Sequence, residues 1–100
     1  MKIPRRIIVC GMEWSIIISD TISRRKQPLW GLCKVAEKQI LVSRGAPRLE
    51  TLLHEVVHAI ESSMGADWSE EQVEYLARYA ATFIQANRPL IRWLLKELAD

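Results

Sequence analysis

The spacing of apolar and polar residues changes near the middle of the chain. Up to residue 43, β-branched and other apolar residues come in short runs separated by polar turns, which is typical of strands. From Pro47 onwards, apolar residues recur every three or four positions, which is typical of amphipathic helices. Strands followed by helices predict an α+β fold, with a small, largely antiparallel sheet and three helices packed on it.

Two strand pairs are predicted in the first half. Residues 5–19 are rich in isoleucine and are interrupted by Gly11, which predicts a hairpin. Residues 20–28 are expected to form a polar connection that ends at Pro28. Residues 29–43 predict a second strand pair, with its turn at the polar tetrapeptide AEKQ.

The helices of the second half have local start and stop signals. The first is predicted over residues 49–64, and Gly65 ends it. Its predicted apolar face is Leu49, Leu52, Leu53, Val56, Val57, Ile60 and Met64. Ser69 and Gln72 predict a capping box for the second helix, and Asn87 followed by Pro89 predicts the start of a third. The apolar faces expected to be buried are Val73, Leu76, Ala77, Ala80 and Ile84 on the second helix, and Leu90, Ile91, Leu94, Leu95 and Leu98 on the third.

Composition indicates one ordinary globular domain over residues 1–100, with 49% hydrophobic and 26% charged residues. No apolar run is long enough to span a membrane, and the N-terminus lacks the pattern of a signal peptide. Only two cysteines are present, Cys10 and Cys33. The simpler interpretation is a cytoplasmic protein with reduced thiols.

Charge is distributed unevenly along the chain. Residues 1–50 have a net charge of +6 and residues 51–100 a net charge of −4. The basic runs, such as residues 24–26, are short, and no aromatic or glycine-rich pattern accompanies them. We therefore interpret them as solvated surface charges and not as a nucleic-acid site.

The only two histidines, His54 and His58, lie four residues apart in the segment HEVVH. On a helix they fall on one stripe, one turn apart, just outside the apolar arc. Two imidazoles in this arrangement can bind one tetrahedral Zn²⁺. Glu55, which follows the first histidine, is offset from the stripe and is placed to act as a general base towards a water on the metal.

A catalytic zinc ion needs a third protein ligand and an open position. The helix after Ser69 offers Glu70 and Glu74 towards the first helix, whereas Glu71 lies on the solvent face. Spacing alone does not decide whether Glu70 or Glu74 is the third ligand. Glu61, one turn after His58, is better placed to orient a histidine than to bind the metal.

These segments resemble a known family. The helix HEVVHAIE, preceded by the strand QILVS and followed by WSEEQVEYLA, is similar to the minimal zincins. These short metallopeptidase-like proteins are common in phage genomes and are related to the ImmA/IrrE peptidases. The resemblance covers most of the chain, but only the two helices that carry the histidines and glutamates are specific.

The resemblance implies a zincin-like fold and a zinc-dependent peptidase. It implies His54 and His58 as zinc ligands, Glu55 as the catalytic acid and base, and Glu70, which matches the pattern E-x-x-V-x-x-L-A, as the third ligand. It also implies that a peptide or protein substrate pairs with the strand at residues 39–43. Tyr75 and Tyr79 are the candidates for a donor to the transition state.

Two other functions fit the sequence. A zinc-binding regulatory or interaction module would keep the metal and have little or no turnover. A metal-free module would bind nucleic acid or a partner through the basic half. Glu55 favours the enzyme, because a structural zinc site has no open position on the metal beside which a carboxylate could act as a base.

Overall fold

A four-stranded mixed sheet, a small hairpin and three helices make up this computed structural model, which describes residues 3–20, 22–24 and 27–99. Strands come first and helices afterwards, so the α+β prediction is confirmed. The elements are β1 (Arg6–Val9), β2 (Met12–Ser19), β3 (Ile22–Arg24), β4 (Gln27–Leu29), β5 (Gly31–Lys34), β6 (Gln39–Ser43), α1 (Arg48–Met64), α2 (Glu70–Ala86) and α3 (Arg88–Leu98).

The main sheet has the order β1-β2-β6-β5. Its two outer pairings are antiparallel, and the central pairing of β2 with β6 is parallel, with Ile16 beside Ile40. The turn between β1 and β2 uses Cys10 and Gly11, which have φ angles of 49° and 81°. Two successive residues with positive φ match the twist of a tight hairpin, which explains why the glycine signal was reliable.

The prediction for residues 20–28 was wrong, because this connection contains a hairpin. Strands β3 and β4 pair with each other, with Ile22 opposite Leu29 and Ser23 opposite Pro28. Pro28 suggested an end to regular structure, because proline has no backbone N–H to donate to a neighbouring strand. A two-stranded ribbon has free edges, where a proline is tolerated. The side chains of the basic run at residues 24–26 lie outside the described part.

The core lies between the inner face of the main sheet and α1. Trp14, Ile40 and Val42 are at most 1% exposed and lie in one cluster with Ala59 of the helix. Burying each of the larger side chains contributes roughly 1.5–3 kcal/mol. This cluster fixes α1 against the sheet.

The line of α1 that is most buried differs from the predicted apolar face. It consists of Thr51, Glu55 and Ala59, whereas Leu49 and Met64, at the two ends of the predicted face, are exposed. The helix lies between β5 and β6 on one side and α2 on the other. Tertiary packing on two sides therefore overrides the single arc that helical periodicity predicts.

The predicted faces of α2 and α3 are only partly covered. On α2, Val73 and Ala77 are buried, but Leu76 and Ile84 are each 46% exposed and Ala80 is also exposed. No residue of α3 is buried. Among the described residues, no element covers the exposed parts of these faces. Among the described helices, none combines the length and the apolar character needed to cross a membrane.

Candidate metal centre

Helix α1 places His54 and His58 side by side. The two rings lie one turn apart, with centroids separated by 5.0 Å, and their side chains are 25% and 22% exposed. Gly65, in the left-handed conformation with φ of 68°, ends the helix and lets the chain turn back towards the histidines.

The start of α2 brings Glu70 to both imidazoles. The Ser69 hydroxyl accepts a hydrogen bond from the backbone of Gln72, whose side chain accepts one from the backbone of Ser69, so the capping box is confirmed. The first residue after this cap is Glu70. One carboxylate oxygen lies 3.1 Å from Nε2 of His54, and the other lies 2.7 Å from Nε2 of His58.

Glu61 joins His58 to the connection between the helices. Its carboxylate lies 3.0 Å from Nδ1 of His58 and accepts a hydrogen bond from the backbone N–H of Trp68. The Trp68 bond, followed by the bond to His58, lowers the pKa of Glu61. Because Nδ1 of His58 faces Glu61, Nε2 is the ring nitrogen that is left to bind a metal on the side of Glu70.

Glu55 is 8% exposed and lies over the backbone of Gly31. A Cβ atom placed on Gly31 would be 2.7 Å from Cγ2 of Thr51 and 3.1 Å from a carboxylate oxygen of Glu55, so the absence of a side chain on Gly31 allows this close approach. Burial raises the pKa of Glu55, His54 and His58 oppose that rise, and Glu70 adds to it. The result is a carboxylate that holds a proton more readily than an exposed glutamate does.

The other candidate residues lie elsewhere. Glu74 forms an ion pair with Arg78 at 3.1 Å, and Glu71 is exposed. Tyr75 and Tyr79 stack on each other at 6.1 Å on an exposed surface of α2, and neither lines the cleft beside the histidines. The structure thus brings Glu70 to the histidines and leaves Glu74 apart. That Glu70 binds a metal stays a prediction.

A cleft of about 600 Å³ lies beside the histidines and is walled by β5. The wall residues include Trp30, Leu32 and Cys33, which the sequence did not mark as site residues. Burial, followed by the charges of Glu55 and Glu61, raises the pKa of the Cys33 thiol to about 11. Gly31, an isolated glycine within a strand pattern, was the one signal that a helix approaches the strand here.

The donor atoms suit a zinc ion. One atom from each of His54, His58 and Glu70 lies within 4.8 Å of the others. Two imidazoles and one carboxylate form a ligand set found in catalytic zinc sites, where donors at about 2.0–2.1 Å from the metal are roughly 3.3 Å from one another. The contacts of Glu70 with the two Nε2 atoms, at 2.7 and 3.1 Å, are close to that separation.

The prediction that a substrate pairs with the strand at residues 39–43 was wrong. These residues form β6, which pairs with β2 on one edge and with β5 on the other, so it has no free backbone groups for a peptide. The strand at the edge of the sheet, next to the cleft, is β5. The sequence showed a strand at 39–43 but did not show its position within the sheet.

Comparison of the chain with models of protein families, with curated proteins and with solved structures finds no match. The resemblance to the minimal zincins is therefore untested. Any function assigned to the chain depends on the chemistry of its own residues.

Proposed function

We propose that this protein is a zinc-dependent metallopeptidase, in which His54, His58 and Glu70 hold the metal. The observation that carries the proposal is the meeting of both Nε2 atoms with the Glu70 carboxylate beside the buried Glu55. A zinc ion, when bound, polarises a peptide carbonyl and lowers the pKa of water. We also place the protein in a reducing compartment such as the cytoplasm, because Cys10 and Cys33 are both free thiols.

Glu55 acts as the general base in this proposal. Its carboxylate accepts a proton from the attacking water and delivers it to the nitrogen of the departing amine. The raised pKa of Glu55 supports this role, because a base whose pKa is closer to neutrality gives up the proton less readily to solvent. The contact with Gly31 holds the carboxylate in the cleft.

The free edge of β5 binds the substrate in extended form. The carbonyl of Trp30 accepts a hydrogen bond from the backbone of Ser43, so the backbone of Trp30 faces β6. Because successive residues of a strand alternate in direction, the N–H and C=O groups of Gly31 and Cys33 face the opposite way, towards the open edge. A peptide paired there lies directly beside Glu55 and the histidines.

Metal analysis and a proteolysis assay together test the proposal. The purified chain should bind close to one zinc per chain. It should also cleave members of a peptide library made from digested cell protein, with products identified by mass spectrometry. Glu55→Gln should keep the zinc and the fold but lose at least about 100-fold in activity, because glutamine cannot accept the proton.

Glu71→Gln is the matched control, since it removes an exposed carboxylate from the same region without touching the cleft. Activity equal to the wild type in Glu55→Gln would exclude Glu55 as the base. Zinc bound at one per chain without cleavage of any peptide would instead favour the alternative of a regulatory zinc module. A chain that binds no zinc would exclude both functions.

A further inference from the structure

Helix α3 presents its apolar side chains to solvent. The helix contains Leu90, Trp93, Leu94, Leu95 and Leu98, and each of them is between 38% and 77% exposed. Among the described elements, its main contact is with α2. Helix α3 is amphipathic but has no buried residue, so its apolar face is left uncovered by the described part of the chain.

The exposed apolar stripe continues onto α2. Tyr75, Leu76, Tyr79 and Phe83 are between 45% and 66% exposed. At about 100° per residue these four side chains lie on one side of α2. On α3 the leucines spaced four residues apart lie on one side of the helix in the same way: Leu90, Leu94 and Leu98.

The exposed apolar area on the two helices is large enough for a protein interface. Together with Ile84, ten large apolar side chains on the two helices are each at least 38% exposed. At roughly 150–200 Å² for a complete large side chain, their exposed parts sum to on the order of 900 Å², of which the part on one side of each helix can enter a single interface. The largest apolar patch of a typical monomer is about 300–600 Å², whereas a standard interface buries about 800 Å² on each partner.

Charges on the two helices are complementary. Near the start of α2, Glu71 is exposed and takes no part in the candidate metal centre. Helix α3 contains three basic residues, Arg88, Arg92 and Lys96, and one acidic residue, Glu97. If two copies pack with these helices antiparallel, the basic α3 of one copy lies beside the acidic start of α2 in the other. A parallel arrangement would place like charges together, which is unfavourable.

We propose that the α2–α3 surface is the interface of a homodimer, in which the two copies pack antiparallel about a two-fold axis. A two-fold interface uses the same surface on both copies and closes after two chains. The candidate metal centre lies on the side of α2 that faces α1, so both sites remain open in the dimer. This proposal does not depend on the proposed peptidase function.

Sedimentation velocity of the full chain between 1 and about 200 μM tests the dimer. We expect a species of twice the 11.5 kDa chain mass that dissociates on dilution. Phe83→Glu on α2 and Leu94→Glu on α3 should each raise the dimer dissociation constant at least about 30-fold, since each buries a charge in the interface. Ile8→Glu is the matched control. It changes a side chain on β1 that is 67% exposed, and it should leave the dissociation constant unchanged.

A charge swap tests the antiparallel arrangement with exposed residues that do not affect folding. Arg92→Glu should weaken the dimer, and adding Glu71→Arg to the same chain should restore it. A wild-type chain that stays monomeric at 200 μM would overturn the proposal. A monomer that instead co-sediments with phosphatidylglycerol vesicles would assign the surface to lipid. A dimer that Phe83→Glu and Leu94→Glu leave intact would place the interface elsewhere.

Discussion

Glu70 is held less firmly than the two histidines that it contacts. Its side chain is 74% exposed, whereas the imidazoles are 22–25% exposed on a helix that is packed from two sides. The capping box at Ser69 fixes the backbone of Glu70, and both carboxylate oxygens reach an Nε2 atom from there. Its position in the first turn of α2 is therefore what allows Glu70, and not Glu74, to approach α1.

Glu70→Gln should weaken zinc affinity by about 10-fold or more, since losses of this size follow even the removal of groups that only orient a ligand. Glu74→Gln and Glu71→Gln should change the affinity much less, because Glu74 pairs with Arg78 and Glu71 is exposed. Competition with a chromophoric chelator measures all three. An affinity lost in Glu74→Gln and kept in Glu70→Gln would reverse the assignment.

At the scale of elements, the approach of α1 to β5 forms the cleft. A Cβ atom on Gly31 would lie 2.7 Å from Cγ2 of Thr51 and 3.0 Å from Cγ of Glu55, so these side chains or the helix would have to shift. The helix supplies Glu55 and the histidines, and the strand supplies the open edge. Separation of the two elements would move Glu55 away from the edge.

Gly31→Ala should lower the free energy of unfolding by about 1–3 kcal/mol, the usual cost of overpacking a tight contact. Gly45→Ala is the matched control, because no atom lies within 4 Å of its added Cβ. It should change stability by less than about 0.5 kcal/mol. Urea unfolding of both variants measures the difference in their free energies of unfolding. Equal values would show that α1 is not tightly packed against Gly31.

The ends of helices and strands could be predicted from residues close by in the sequence. Which elements pack or pair with one another could not. Gly11, Gly65 and the capping box at Ser69 mark ends of elements through their own backbone geometry. The parallel pairing of β2 with β6 joins segments that are 24 residues apart, as in Ile16 beside Ile40. Nothing within either strand specifies that partner, so the position of β6 in the sheet was missed.

At the scale of the whole molecule, α1 lies between the sheet and α2, and this arrangement determines the environment of Glu55. The HExxH pattern predicted that Glu55 is functional, but helical periodicity did not predict that it is buried. Its burial comes from the contact with Gly31, a residue 24 positions earlier in the chain. In the same way, periodicity predicted apolar faces on α2 and α3 but not whether any element of the chain covers them.

In the metal-free protein, the contribution of buried Glu55 to the free energy of unfolding should be smaller at neutral pH than at acidic pH. Its pKa in the folded protein is raised above the ordinary value of 4.5, so the folded chain binds this proton more tightly than the unfolded chain. The stabilising contribution is complete below pH 4.5 and is lost as pH rises through the raised pKa of Glu55.

Glu55→Gln, which stays neutral, should therefore be more stable than the wild type at pH 7 when a chelator is present. The gain should shrink towards pH 4, where wild-type Glu55 is protonated. Urea unfolding of both chains at pH 4 and pH 7, at equal protein concentration, measures it. A gain that is the same at both pH values would indicate a packing effect instead of a charge effect.

The free edge of β5 also has a consequence for how these molecules behave in a crowded solution. Unpaired strand edges are templates on which further chains can add and aggregate. Here the strand has four residues and ends at the exposed charge of Lys34, and both short length and charge are known to protect sheet edges. The edge that we propose for substrate binding is thus protected against the growth of a larger sheet.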